Sequence, residues 1–371
     1  MKTIIIDIAP PGLTEEELRH RMDELESLVS TYGGVTIIKR VQKKTSPDYR
    51  TFIGSGKLDE IMTEGDELGA ELLIIGNIMK PAQVWNVNEY LRNAKSKIQA
   101  WDRVDLILKI FALHAISPES KLQIELAAIK HMGPRIYGMG MELSRQGGGS
   151  KNAKGQGETN TEIMKRHLRE KVEEIHEKLK IYERTRALHR ERRKRKGLKT
   201  IGIVGYTNAG KSSLFNTLTR KGVLAEDKLF ATLGTSVGKI WIENTLSQEN
   251  GYQGTELLLN DTIGFIRDLP PDLIAAFTST LEDSIESDIL LHVIDAGDTW
   301  CEEKITIVDN TLKQIGANQP RWYVFNKIDT LKSEEVEQLK EKFRDLNPIF
   351  LSAHSGAGIK ELREKLGINF G

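Results

Sequence analysis

The sequence predicts an α/β protein in three parts: a small α/β domain, a long antiparallel helical hairpin, and a larger α/β domain built around a glycine-rich strand-to-helix turn. Three observations carry this. Short β-branched runs alternate with helical spacing over the first hundred residues. Two stretches of helical period flank a glycine-rich segment at 146–157. The apolar run Lys199-Thr-Ile-Gly-Ile-Val204 then passes into Gly205-Tyr-Thr-Asn-Ala-Gly210-Lys211-Ser212 and a helix-like stretch, Ser213 to Thr219. The expected boundaries are 1–112, 113–196 and 197–371.

Within the first part, Lys2 to Ile8 reads as a strand and Thr14 to Ser30 as a helix, with Leu18, Met22, Leu25 and Leu28 on one side. Thr14 and Glu17 have the spacing of a capping box. Val35–Ile38 and Leu72–Ile75 read as further strands. Between them, Thr51-Phe-Ile-Gly-Ser-Gly56-Lys57 is a glycine turn opening a helix. It could seat a phosphate, but it lacks the spacing of the turn at 205, and a plain strand-to-helix turn explains it as well.

From Val104 the pattern becomes helical, leading into the hairpin. Ser120 to Lys130 places Leu122, Leu126 and Ile129 on one face. Leu168, Val172, Ile175, Leu179 and Tyr182 form a 4-3-4-3 seam on the second helix, which starts with Met164 on the same side. The segment between them, 146–157, has five glycines and two lysines and almost nothing to bury. It reads as an idle flexible tip or as a probe that meets a polyanion through Lys151, Lys154, Arg145 and Arg135. The second helix ends in a basic run, 183–196, which is either a solvated face or a second RNA contact.

The third part carries the chemistry. A buried strand, then G-x-x-x-x-G-K-S, then a helix is what a phosphate cradle requires, because small residues let backbone N–H groups close around oxyanions at a helix N-terminus. Gly205, Tyr206, Thr207, Asn208, Ala209, Gly210, Lys211, Ser212 and Ser213 make this loop, with Lys211 expected on the β- and γ-phosphates and Ser212 on Mg²⁺. The strand Leu257–Asn260 ends in Asp261-Thr262-Ile263-Gly264: the acid suits Mg²⁺ and the glycine amide suits a γ-phosphate. Strands at Ile289–Ile294 and Trp322–Phe325 follow, the second running into Asn326-Lys327-Ile328-Asp329. The Asp329 carboxylate accepts from guanine N1 and N2, so GTP rather than ATP is implied. The strand Ile349–Leu351 leads to Ser352-Ala353-His354, the last expected contact to the base. Four motifs in this order predict a Ras-like P-loop G domain.

Composition bounds the rest. The 371 residues include 53 Lys plus Arg and 53 Asp plus Glu, so no global basic field points to nucleic acid, and local charge must carry any such contact. The single cysteine, Cys301, excludes an internal disulfide framework and fits a reducing compartment. No apolar run approaches the ~18 residues of a membrane span, and Met1 to Asp7 reads as a strand rather than a leader, so a cytoplasmic monomer is expected.

These residues resemble an HflX-type GTPase, of the Obg–HflX group among translation-factor-related GTPases, over essentially the whole length. Besides the nucleotide motifs, the likeness lies in Tyr49-Arg-Thr-Phe-Ile-Gly-Ser-Gly-Lys-Leu-Asp-Glu60, Asp102-Arg103, Lys121-Leu-Gln-Ile-Glu-Leu-Ala127, Gly155-Gln-Gly-Glu-Thr159 and Asp261-Thr-Ile-Gly-Phe-Ile-Arg-Asp-Leu-Pro270. The resemblance implies GTP hydrolysis, binding to the large ribosomal subunit with the tip 146–157 near the peptidyl-transferase region, and a role in splitting or rescuing stalled ribosomes. It also implies that the extra C-terminal domain of longer members is lacking.

Three details bear on turnover. Leu229-Phe-Ala-Thr232-Leu keeps the usual start of switch I, but Gly234-Thr-Ser-Val-Gly238 replaces its usual tail. Thr232 is the expected Mg²⁺-sensing threonine, Thr235 its competitor, and the two glycines make the segment costlier to order. Phe265 stands where Ras-like enzymes place a water-orienting glutamine, so slow free turnover of about 10⁻⁴ to 10⁻² s⁻¹ is expected. Asn208 either helps hold K⁺, as in some GTPases, or makes a hydrogen bond within the loop. Two other functions compete: an RNA remodeller with an ATP site near Gly54, Gly56 and Lys57, and a GTP-timed scaffold for a protein partner.

Overall fold

The computed structural model describes residues 1–133, 154–219, 229–230, 236–243, 254–270, 273–274 and 285–370. The described chain forms two compact units: 1–113 with 121–180 and 270–276, and 114–120 with 181–269 and 277–371.

In the first unit, β1 (Lys2–Ala9), β2 (Val35–Lys43), β3 (Leu72–Ile75) and β4 (Gln99–Asp102) make a parallel sheet in the order β2-β1-β3-β4. The central β1 is buried at every position after Lys2, as a parallel strand covered on both faces must be. Helices α1 (Glu15–Tyr32), α2 (Ser55–Leu68) and α3 (Pro81–Asn93) connect the strands. Thr14 caps α1 as its sequence predicts: its hydroxyl accepts from Glu17 N at 3.2 Å, and Glu17 accepts from Thr14 N at 2.7 Å. On one face Leu58, Ile61, Val84, Val87 and Leu91 pack with Ile4, Ile6 and Ile8. Leu18, Met22, Leu25 and Leu28 of α1 are buried as well, and the exposed flank of that helix is tied down by Arg21, which grips Asp7 with bonds of 2.5 and 3.0 Å. Gly54 stands before α2 in an extended conformation, its amide donating to Gln42 Oε1 at 3.2 Å, while Lys57 pairs with Glu60 at 2.6 Å. The glycine turn at 51–57 is thus a strand-to-helix connection whose lysine is already paired.

Helices α4 (Arg103–His114), α5 (Pro118–Met132) and α6 (Lys154–Arg195) follow. The ion pairs Glu125–Lys171, at 2.7 Å, and Glu119–Arg186 run in opposite chain directions, so α5 and α6 lie antiparallel. Ile175 is buried, and Leu168, Val172, Leu179 and Tyr182 are half-buried along the expected seam. On α5 the buried face is Gln123, Ile124, Leu126 and Ala127, one position round from the expected Leu122 and Ile129, which are only half-buried. The segment 146–157 also differs from expectation at its end. Helix α6 starts at Lys154 and takes in Gly155 and Gly157, at a cost of about 1 kcal/mol per glycine relative to alanine. The rest of the tip, 146–153, lies outside the described residues, as do Arg135, Arg145 and Lys151.

The second unit holds a six-stranded sheet of order β10-β9-β8-β5-β7-β6, from β5 (Lys199–Gly205), β6 (Ser236–Glu243), β7 (Gly254–Asp261), β8 (Ile289–Asp295), β9 (Arg321–Asn326) and β10 (Ile349–Phe350). Only the β6–β7 pair is antiparallel. Among the described residues, helices α7 (Lys211–Thr219), α8 (Cys301–Gln314), α9 (Ser333–Lys342) and α10 (Ile359–Phe370) accompany the sheet. Its main core joins Ile201, Ile203, Leu257, Leu259, Leu291 and Val293 with Leu214 and Phe215 of α7 and Leu362 and Leu366 of α10. Gly238, read from sequence as part of a loop, is a buried residue of β6. A Cβ there would meet Thr219 Cγ2 at 2.4 Å, so the glycine lets α7 close onto the strand. Among the described residues no helix is long and apolar enough to cross a membrane.

Candidate nucleotide site

The glycine-rich turn leaves β5 at Gly205 and enters α7 at Lys211. Two of its glycines are sterically required. A Cβ on Gly205 would lie 2.3 Å from Val293 O, and one on Gly210, at φ +88°, would lie 2.2 Å from Asn326 Nδ2. Asn208, at φ +64°, takes the left-handed turn that asparagine tolerates. It is exposed and makes no side-chain hydrogen bond among the described residues.

Lys211 is buried and donates from Nζ to Tyr206 O at 2.8 Å. Burial pulls its pKa down to about 8, against the attraction of the Asp261 carboxylate. Beside it, Ser212 Oγ donates to Asp261 Oδ2 at 2.8 Å, a hydroxyl and a carboxylate converging on one point. That all-oxygen pair suits a hard divalent cation such as Mg²⁺. Thr262 bonds back to Ile203 O at 2.7 Å, and Ile263 is buried. Gly264 sits against the loop: a Cβ there would be 2.7 Å from Thr207 Cγ2 and 3.0 Å from Lys211 Nζ. Thr207 is buried, and its hydroxyl has no hydrogen-bond partner among the described residues.

The chain re-pairs with the loop after Gly264. Phe265 N donates to Gly205 O at 3.1 Å and Thr207 N to Phe265 O at 2.8 Å. The Phe265 side chain is turned into the core, 1% exposed, and so offers nothing polar to the site.

On the opposite side of the turn, Asn326 acts as a tie between three loops. Its Nδ2 donates to Ala209 O at 3.0 Å, and its Oδ1 accepts from Ala353 N at 2.9 Å. Lys327, at φ +66°, reaches Asp295 at 2.7 Å. The Asp329 carboxylate remains accessible; its hydrogen bond from the Ser352 hydroxyl holds its pKa below the usual range, so it stays an acceptor. Ser352 is buried, while the side chain of His354 is 93% exposed and 3.8 Å from Asp329. The structure therefore brings the four motifs to one end of the sheet. Ser213 is half-buried in the first turn of α7, and Thr232 and Thr235 lie outside the described residues.

The family profiles agree with this geometry. Residues 19–112 match a GTP-binding GTPase N-terminal domain, 114–193 a GTP-binding GTPase middle region, and 200–327 a 50S ribosome-binding GTPase domain. The GTPase HflX of Caldanaerobacter subterraneus is 39% identical over 95% of this chain and 78% of its own. The chain belongs to the HflX family of GTPases. The HflX GTPase of Escherichia coli is 37% identical over 95% of this chain and 80% of its own. Among solved structures, a complex of the protein SsGBP with GDP aligns with 99% of this chain and 97% of that one, at 26% identity and a TM-score of 0.53. Like other HflX GTPases, the chain binds GTP and GDP and hydrolyses GTP.

Sequence reasoning missed what surrounds the motifs. Tyr206, Arg267 and Asp102 were named only as members of motifs: that Tyr206 meets Arg267 beside the loop, and that Asp102, Asp105 and His131 cluster in the first unit, was not read. Only the spacing of Asp102 and Asp105 at a helix start could have flagged one of these, since each accepts from the other's amide, at 2.8 and 3.3 Å.

Proposed function

We propose that this HflX-family GTPase works on the large ribosomal subunit, in splitting ribosomes or rescuing stalled ones, with the tip 146–157 and one face of the helix 183–196 as its ribosomal RNA contacts. The observation that carries this is the two-sided character of the basic helix. Arg186 pairs with Glu119 and Arg190 faces Glu286 at 3.7 Å, so both support the fold, whereas Arg184 and Arg192 on the helix and Lys196 just after its end remain exposed. Cations turned outward along one rod are what a phosphate backbone can use.

In the G domain, Lys211 and the amides of 205–213 hold the β- and γ-phosphates, and Gly264 N–H meets the γ-phosphate. Ser212 and Asp261, joined by Thr232, would hold Mg²⁺, which when bound would supply charge neutralisation for the phosphates. Asp329 reads guanine, with Asn326 and Lys327 shaping its pocket and Ser352, Ala353 and His354 closing it. Water attacks the γ-phosphate in line with the departing GDP oxygen. With the Phe265 ring in the core, this position offers no group to orient the attacking water, and the free protein turns over slowly. Asn208, exposed and without a side-chain hydrogen bond among the described residues, would help hold K⁺ near the phosphates, and equal rates in KCl and NaCl at matched ionic strength would remove that role.

The test is GTP turnover with and without purified large subunits, using a deletion of 147–157 as control. Stimulation that the deletion weakens is expected. Absence of stimulation with GTP binding intact overturns the ribosomal assignment and leaves the G domain as described.

A further inference from the structure

The segment after Gly264 is held on the phosphate loop at three points. Two are backbone bonds, Phe265 N to Gly205 O and Thr207 N to Phe265 O. The third is made by a side chain: Arg267 N donates to the Tyr206 hydroxyl at 2.8 Å. Tyr206 belongs to the loop itself and is 5% exposed. Its ring is fixed from the other side by Lys304, whose Nζ lies 4.9 Å from the ring centroid and pairs with Asp298. The Arg267 side chain is in turn held by Glu303 at 3.2 Å, one residue before Lys304 on α8. A phenol, an arginine and a lysine–carboxylate pair thus converge on the first residues of the segment that senses the γ-phosphate.

Those residues stand at the reacting end of the site. Gly264 is close enough to Lys211 that an added Cβ would lie 3.0 Å from its ammonium, and Lys211 is the group that meets the γ-phosphate in the site proposed above. An amide presented there works only if its backbone is held still, because misplacement by about an ångström forfeits most of a positioning effect. Of the three bonds, the backbone pair comes with the sheet, whereas the tyrosine bond is a choice of side chain.

We infer that Tyr206 is a positioning residue for GTP hydrolysis: its hydroxyl, braced through Lys304 and Glu303, holds Phe265 to Arg267 on the phosphate loop and so keeps the Gly264 amide at the γ-phosphate. The inference rests on the nucleotide site proposed above. It predicts an effect confined to the triphosphate state, since GDP has nothing for Gly264 to meet.

Tyr206→Phe in the full chain removes the hydroxyl and keeps the ring under Lys304. Single-turnover GTP hydrolysis falls about tenfold, the equivalent of one buried hydrogen bond, and affinity for a non-hydrolysable GTP analogue falls by a similar factor while GDP affinity stays within about twofold. A purely structural role would move GDP and the analogue together. Turnover and analogue affinity both unchanged, GDP and analogue weakened alike, or a faster rate in the variant, overturns the inference. Should Tyr206→Phe not fold, Glu303→Gln loosens the same tie from the exposed side: its preference for the analogue over GDP drops, and a preference equal to the parent's overturns the inference. Failure of the unmodified chain to bind GTP would instead strike the site reading itself.

Discussion

Replacing Asn326 by alanine tests the claim that this residue ties loops together. The side chain is 2% exposed and spans from Ala209 in the phosphate loop to Ala353 in the loop proposed to close over the base, with bonds of 3.0 and 2.9 Å. Its removal leaves one carbonyl and one amide without partners in a buried setting. At about 1–3 kcal/mol for each group, the tie is worth about 2–6 kcal/mol. In the free chain both loops can relax toward water and recover part of this. The bound arrangement needs the phosphate loop and the base loop in place together, so the penalty appears in affinity. A value near the middle of the range lowers GDP affinity by roughly 10³-fold. Stopped-flow binding of a fluorescent GDP reads the affinity, and urea unfolding checks that the domain still folds. Asn326→Asp sharpens the test, since it keeps the acceptor for Ala353 N but turns a lone pair toward Ala209 O; it should lose at least as much. An alanine variant that folds and binds GDP within about threefold of the parent would refute the tie.

The Lys211 pKa gives a pH signature. Its folded value, about 8, lies below the ordinary 10.5, so the unfolded chain holds more protons between those limits and the free domain gains stability as pH rises through them. Phosphates restore the charge, so GDP binding takes up a proton and weakens above about pH 8. Titration calorimetry at about pH 9 in buffers of different ionisation enthalpy reads this uptake. A buffer-independent enthalpy would sink it. For Gly264→Ala, whose Cβ would press on Thr207 and Lys211, turnover falls by at least about tenfold while GDP still binds, and normal single-turnover rates would exclude the crowding. His292 is buried against Asp309, and burial pushes its imidazole below the ordinary 6.5. The unfolded chain therefore protonates first, and stability is lost as pH falls below about 6.5. The urea midpoint should drop from about pH 7.5 to about pH 5.5, and His292→Leu should flatten that drop; an equal drop in both chains refutes it.

The motif-bearing strands were legible because each is a continuous apolar run feeding a short polar signature, a pattern that survives without tertiary context. The strands that escaped were β4, whose Gln99 and Asp102 break the run, and β6, an antiparallel edge strand whose outward Val237, Lys239 and Trp241 remain exposed. Gly238 misled for a physical reason: only the approach of Thr219 and Phe215 distinguishes a packing glycine from a loop glycine. The Tyr206–Arg267 bond joins residues 61 positions apart, and nothing local to either signals it. The burial of Phe265 was not legible either, because it depends on which way the re-paired backbone turns the ring.

The 42 residues of α6 contain no proline, and no glycine after Gly157. At about 1.5 Å per residue they form a rod of roughly 60 Å with no built-in joint. Only Lys196, Gly197 and Leu198 separate its foot from β5, and the other end of β5 is Gly205, where the phosphate loop begins. The phosphate loop therefore starts ten residues along the chain from the end of this rod, with a three-residue link and one seven-residue strand between them.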